Sequence, residues 1–276
     1  MHILRFILLL LSVLFLVAAA TAVPAQTPQQ TFQPVRGQPG KDVVWIPTPD
    51  SMVEKMLDMA RVTPQDYVID LGSGDGRNII AAARRGARAL GVEYNPDLVE
   101  FSKRAAAEAG VADKAVFVQG DMFEADISQA TVLALFLQPD NLQRLAPKFL
   151  ALRPGARIVL NTYGIGGGWM ADATETVRDS CVSFCLAALY IVPAKVAGSW
   201  RLPEGELTLE QEYQLISGTF EIGGISVPVE SGRLRGEEIQ FTVNGVDYTG
   251  RVNGDTMEGV AKGRITRTWT ATRLSE

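Results

Sequence analysis

The sequence predicts an α/β protein, a doubly wound parallel sheet followed by a small all-β antiparallel meander or barrel. Three observations carry this. From Val43 to about Leu160, short apolar runs rich in β-branched residues alternate with amphipathic helical segments, as βαβ units require. After about Gly198 the rhythm changes to period two, broken by two-residue turn signals. With 276 residues, 47% hydrophobic and 21% charged, the chain can bury the cores of two modest domains. The expected division is 42–197 for the α/β part and 198–276 for the β part.

In the first part, Thr48 and Pro49 start a helix whose apolar stripe is Met52, Val53, Met56, Leu57 and Ala60. Tyr67 to Leu71 reads as the first strand, Ile79 to Arg85 as helix and Ala89 to Glu93 as the second strand. Asn95 and Pro96 cap a helix that Gly110 closes. Ala115 to Gln119, Thr131 to Leu137 and Arg157 to Asn161 read as further buried strands, and Cys185 to Val192 as a sixth. In the second part, Ile222-Gly223-Gly224-Ile225 and Val243-Asn244-Gly245-Val246 are hairpin patterns. Leu207, Leu209, Tyr213 and Leu215 alternate with polar residues, as do Ile239, Phe241 and Val243.

The amino terminus has a different character. Arg5 precedes an apolar run from Phe6 to Val17, then small residues lead to Ala25, the pattern of a cleaved secretory signal peptide over 1–25. The competing reading is a retained anchor, since Phe6 to Val23 has about the length of a membrane span. Cleavage would leave no stable span. Either way the remainder is expected to be exported, periplasmic or secreted. Residues 26–41, rich in Gln, Pro and Gly, are expected to form a flexible leader. Loss of 1–25 removes one Arg and no acid, leaving 25 basic and 31 acidic residues and a net charge of −6. That disfavours nucleic-acid partners. The one histidine, His2, lies in the signal, which excludes His-based triads and His-ligated zinc from the mature chain. Cys181 and Cys185 would stand about 13 Å apart on a strand but meet on a helix or tight turn, so the spacing leaves a disulfide open.

The chemistry concentrates in Val68-Ile69-Asp70-Leu71-Gly72-Ser73-Gly74-Asp75-Gly76-Arg77, at a strand end leading into a helix. The dinucleotide fingerprint needs glycine where Arg77 stands, which weakens a nicotinamide or flavin reading. The acid at Asp70 points elsewhere, because S-adenosylmethionine carries an α-ammonium and a sulfonium that favour a nearby carboxylate. Glu93, 23 residues on at the end of the second strand, suits both ribose hydroxyls. Asp121, 28 residues further and ending the third strand, suits the exocyclic amine of adenine, with the Met122 amide donating to the ring. The expected cofactor site is Asp70, Gly72, Ser73, Gly74, Gly76, Glu93, Tyr94, Asp121 and Met122. No metal site and no catalytic base is assigned. Trp45, Asn141 and Tyr163 are substrate-side candidates, and Trp169 and Trp200 either line the cleft or fill core.

Residues 42 to about 169 resemble the small class I, Rossmann-like protein-lysine methyltransferases of archaea and mitochondria, and their exported bacterial relatives. The segments WIPTPDSMVEKMLDMARV, YVIDLGSGDGRNIIAAARRGARALGVEYNPDLVE, VFVQGDMFEADISQATVLALFLQPDNLQRLAPKF and LRPGARIVL carry the likeness. The resemblance implies S-adenosylmethionine as cofactor, a protein lysine or small molecule as methyl acceptor, Asp70, Gly72, Gly74, Gly76, Glu93 and Asp121 at cofactor positions, and Trp45 to Pro49 closing over the cofactor. Relatives commonly read SHDF after the fifth strand, where this chain has Leu160-Asn161-Thr162-Tyr163. Leu137-Gln138-Pro139-Asp140-Asn141 replaces the Asn-Pro-Pro-Tyr of enzymes that methylate nucleic-acid amino groups. The competing functional reading is an exported, non-catalytic nucleoside- or ligand-binding protein with the β part as recognition module.

Overall fold

The structure, a computed structural model, describes residues 32–178 and 181–274. The signal sequence and residues 26–31 of the leader expected from the sequence lie outside the described residues.

A seven-stranded sheet has the order β3-β2-β1-β4-β5-β7-β6. Its parallel strands are β1 (Tyr67–Leu71), β2 (Arg88–Glu93), β3 (Ala115–Gln119), β4 (Val132–Leu135) and β5 (Arg157–Asn161), and β7 (Leu186–Ile191) runs antiparallel to β5. β1, β4 and β5 are short apolar runs because helices cover both faces of the sheet there, whereas β3, expected to be buried, lies at the edge and leaves Val116 and Val118 exposed. On one face lie α1 (Asp50–Met59), α2 (Arg77–Arg84) and α3 (Pro96–Glu108), packed through Met52, Met56, Leu57, Ile79 and Val99. The other face packs on Leu142, Leu145 and Phe149 of α4 (Pro139–Leu150). Asn95 caps α3 by accepting from the Asp97 amide at 2.9 Å, as its position before Pro96 predicts. The order reverses between β1 and β4, the switch point at which open α/β sheets bind ligands beyond their carboxyl edge.

Two features of this half differ from the sequence expectation. The Cys185–Val192 segment is the seventh strand, since β6 (Ala173–Thr176) precedes it. All four residues of β6 are exposed, so an edge strand with no buried face gave no apolar signal. Residues 33–41 are also more than a leader. A turn at Gly37, with Gly37 N donating to Trp45 O at 2.9 Å and Trp45 N to Gln38 O at 3.0 Å, folds them back as a strap.

The second sheet closes on itself. β8 (Gly198–Leu202), β9 (Gly205–Glu212), β10 (Leu215–Ile222), β12 (Glu230–Arg235), β13 (Glu238–Val243), β14 (Val246–Asn253), β15 (Thr256–Lys262) and β16 (Thr266–Arg273) pair in chain order, and β16 returns to β8, making an eight-stranded antiparallel barrel. β11 (Ile225–Pro228) extends β10 outside the ring. The Gly223-Gly224 and Asn244-Gly245 turns have φ of +60, +84, +49 and +72°, the left-handed pair that a two-residue hairpin needs. Trp200, Phe220, Phe241, Tyr248 and Trp269 fill the interior. Leu215, expected to continue the buried alternation, faces outward because the two-residue turn before it shifts the phase, and Ile216 is buried instead. From Gln33 onward both sheets belong to one compact unit. Among the described residues no helix is long and apolar enough to cross a membrane.

Candidate functional site

The loop after β1 makes the site. Gly72 N and Ser73 N donate to the Val92 carbonyl at 2.8 and 3.1 Å, folding the loop over β2 before α2 begins. Gly72, Gly74 and Gly76 all have positive φ. A Cβ on Gly74 would stand 2.4 Å from Trp45 Nε1, and one on Gly76 2.7 Å from the Phe117 ring, so conformation and space both demand glycine there. Arg77, where a dinucleotide site would have its third glycine, chelates Asp75 and donates to Thr48 O at 2.7 Å, tying the loop to the start of α1.

The carboxylates expected from the sequence gather at this edge. Asp70 is fully buried on β1, with Oδ2 accepting from Asn78 Nδ2 at 2.9 Å and Oδ1 without a partner. Burial drives its pKa well above the ordinary carboxylate range. The Asn78 amide opposes this, and the negative charges of Glu93 and Asp75 add to it. Glu93 accepts from Gly74 N and Asn95 N, both at 2.9 Å, one on each oxygen. Each oxygen keeps acceptor capacity for a further donor. Asp121 accepts from Phe123 N at 2.8 Å and pairs with Lys41 of the strap. The Lys41 hydrogen bond, with help from the Phe123 amide, holds its carboxyl below the usual range.

A narrow cleft with about 40 Å³ of free volume lies between these groups, lined by Gly72, Val92, Glu93, Tyr94, Gly120, Asp121 and Met122 and roofed by Lys41, Asp42 and Val43. Lys41 also lies 4.9 Å from the centroid of the half-exposed Tyr94 ring. Gly72, Glu93, Tyr94, Asp121 and Met122 therefore share one cavity, whereas Asp70 is buried on β1 and does not line it. Ser73 and Gly76 shape the loop without facing that cavity. The Ser73 hydroxyl is buried against Gly91, and Gly76 packs on Phe117 and Ser102. Trp45 covers Gly74. Asn141 is buried in the first turn of α4, its amide 3.4 Å from Asp42 O, and so steadies the strap.

Tyr163 belongs to a half-exposed aromatic group at the carboxyl end of β4 and β5. Its ring stacks on Phe136 at 6.2 Å, and Phe184 lies 5.1 Å from Phe136. Sequence reasoning missed Phe136 and Phe184. Phe184 arrives through a tight turn closed by the Cys181–Cys185 disulfide, with Cα atoms 5.8 Å apart, which resolves the spacing left open above. Leu137, next to Phe136, is within 3.4 Å of where a Gly72 Cβ would be, so this wall borders the glycine loop. Trp169 is buried beneath the chain that follows β5, and Trp200 fills barrel core.

Residues 70–173 match the family model described as ANTKMT methyltransferase domain. A protein-lysine N-methyltransferase of Saccharolobus islandicus (strain REY15A) is 37% identical over 153 residues, covering 54% of this chain and 94% of that protein. The adenine nucleotide translocase lysine N-methyltransferase of Mus musculus is 36% identical over 113 residues, 40% of this chain, which spans only 49% of the mouse protein's length. Among solved structures, an RNA methyltransferase from Salinibacter ruber in complex with S-adenosyl-L-homocysteine shares 42% identity and a TM-score of 0.51, covering 55% of this chain and 96% of that one.

Proposed function

This chain belongs to the S-adenosylmethionine-dependent methyltransferase family that includes the protein-lysine enzymes, and from that premise we propose that it methylates amine groups of a protein outside the cytoplasm. The observation that carries the cofactor side is the buried carboxyl on β1 just before the glycine loop. A fully buried carboxyl with an unpartnered oxygen, Asp70, is pushed toward its neutral form by burial and two neighbouring acids, and an arriving cation relieves that penalty. The residues present thus fit S-adenosylmethionine. Asp70 would balance its positive charge, Glu93 would take the ribose hydroxyls, and Asp121 with Met122 the adenine edge once Lys41 shares Asp121.

S-adenosylmethionine supplies a methyl group bonded to a positively charged sulfur, activated for in-line displacement. What the chain adds is orientation and exclusion of water. Trp45 and the 41–43 strap cover the glycine loop, and Leu137 closes its flank. The Phe136, Tyr163 and Phe184 rings give an amine acceptor an apolar, quadrupolar wall that favours a cation. The acceptor must lose a proton, and with no histidine beyond His2 the available acceptors are carboxylates, the Tyr163 phenol or water.

The test is transfer of labelled methyl from S-adenosylmethionine to poly-L-lysine and to total RNA in parallel, with calorimetry of both S-adenosylmethionine and S-adenosylhomocysteine. Cofactor binding with label in poly-L-lysine is the expected result. Label confined to RNA would transfer the Salinibacter relative's acceptor to this chain and end the amine proposal. Binding without turnover on either would favour a non-catalytic protein.

The proposal of export rests on the pattern of residues 1–25 and on the disulfide, which suits an oxidising compartment. Intact mass of the protein recovered from the envelope fraction should match a chain beginning at Gln26. Recovery of the full-length chain in the cytosol would rule this out.

A further inference from the structure

Among the described residues no helix follows β5. Residues 162–172 run as a glycine loop, with Gly166, Gly167 and Gly168 at φ +77, +64 and +92°. Three successive glycines bring no side chains and much backbone freedom, so such a loop depends on its neighbours for a defined position. The barrel supplies them. Trp169 stacks on Tyr213 with centroids 5.6 Å apart and planes at 8°. Gln214 donates from Nε2 to the Met170 carbonyl at 2.7 Å, and Arg233 pairs with Asp172, whose side chain is 2% exposed.

Tyr213 and Gln214 are the two-residue turn joining β9 to β10. Tyr213 has φ +53°, a conformation at home with glycine or asparagine and strained for a bulky residue. Nothing in barrel closure requires a tyrosine there. Its ring leaves the barrel core and packs against the core of the parallel sheet, and a Cβ on Gly167 would stand 3.2 Å from its hydroxyl. A strained residue whose contacts lie on another element points to a role at that element.

The far end of the loop is the acceptor wall. Tyr163, two residues after β5 ends, stacks on Phe136 beside the glycine loop of the cofactor cleft. We infer that the barrel is a positioning device for methyl transfer: Tyr213, through its stack on Trp169, fixes the glycine loop that carries Tyr163. Tyr213 touches neither the cofactor cleft nor the acceptor wall, so it is a positioning residue. The inference rests on the reading that an amine enters beside Phe136 and Tyr163.

The test compares S-adenosylhomocysteine with a bisubstrate probe, an adenosyl amino acid whose sulfur is replaced by nitrogen bearing a butylamine arm, by calorimetry on the mature full chain. Tyr213→Gly relaxes the turn but deletes the packed ring and adds freedom to the unfolded chain, so a modest fall in the denaturation midpoint is expected and binding is measured well below it. S-adenosylhomocysteine should bind this variant within twofold of wild type, while the probe's advantage falls roughly threefold to tenfold, the range of a lost aromatic stack. Tyr213→Phe should restore the advantage. An undiminished probe advantage in Tyr213→Gly, or equal weakening of both ligands, would overturn the inference. If wild type binds S-adenosylhomocysteine but gains nothing from the butylamine arm, the amine-acceptor reading fails and takes this inference with it. If wild type binds neither, the cofactor reading itself has failed.

Discussion

Glu93→Ala should weaken S-adenosylhomocysteine binding by at least a hundredfold. Glu93 is the cleft carboxylate at the end of β2 whose two oxygens each hold one backbone amide, of Gly74 and of Asn95, and still present free lone pairs. Two ribose hydroxyls bound there make two hydrogen bonds to a charged acceptor, each worth about 1.5–3 kcal/mol, which together correspond to roughly 10² to 10⁴ in affinity. The substitution also leaves the Gly74 amide without its acceptor, loosening the loop that the cofactor rests on. Glu93→Gln separates these effects, because its carbonyl oxygen can keep one amide while the charge is lost. Its expected affinity lies between wild type and alanine. Calorimetry alongside a urea midpoint reads both quantities, and an alanine variant binding within fivefold of wild type would show that the ribose is held elsewhere.

The parallel sheet was legible because burial on both faces compresses each strand into an apolar run with a glycine, asparagine or helix cap at its end. β1 and β5 fall on the expected residues for that reason, and β3 does so although only Ala115 and Phe117 of it are buried. β6 was hidden by the same logic, since Ala173–Thr176 has no buried face. Turn chemistry announced the hairpins at Gly223-Gly224 and Asn244-Gly245, but closure of the barrel depends on Thr272 pairing with Arg201, and no local pattern encodes a contact across the whole β region. The acids of the site were visible as strand-end carboxylates. Their partners were not: Lys41 reaches Asp121 from a segment whose Pro, Gly and Gln content suggests a mobile leader, and Phe136, Tyr163 and Phe184 come together only through the fold and the disulfide.

The cofactor should bind with release of a proton, and Asp70→Asn should abolish that release. Asp70 is buried beside Glu93 and Asp75, and burial first, then those two charges, raise its carboxyl pKa well above the ordinary range against the pull of Asn78. Below the raised value the ligand-free protein holds Asp70 neutral. A cationic ligand favours the carboxylate and lowers its pKa, so the proton leaves on binding, and affinity climbs with pH until the raised value is passed, then levels off. Stability of the ligand-free fold runs the other way. An acid whose folded pKa exceeds its unfolded one contributes most at low pH, and that contribution is lost as pH rises from the ordinary carboxylate range to the raised value. Bound cofactor should therefore protect most on the alkaline side. Truncating one partner of a buried charge pair costs about 2–5 kcal/mol, so Asp70→Asn should lose on the order of thirtyfold or more in affinity above the transition and show a pH-independent profile. Calorimetry in phosphate and in Tris, whose ionisation heats differ, counts the protons directly. Identical heats in the two buffers, with a flat wild-type profile, would mean that Asp70 never feels the ligand's charge and serves only as a buried partner for Asn78.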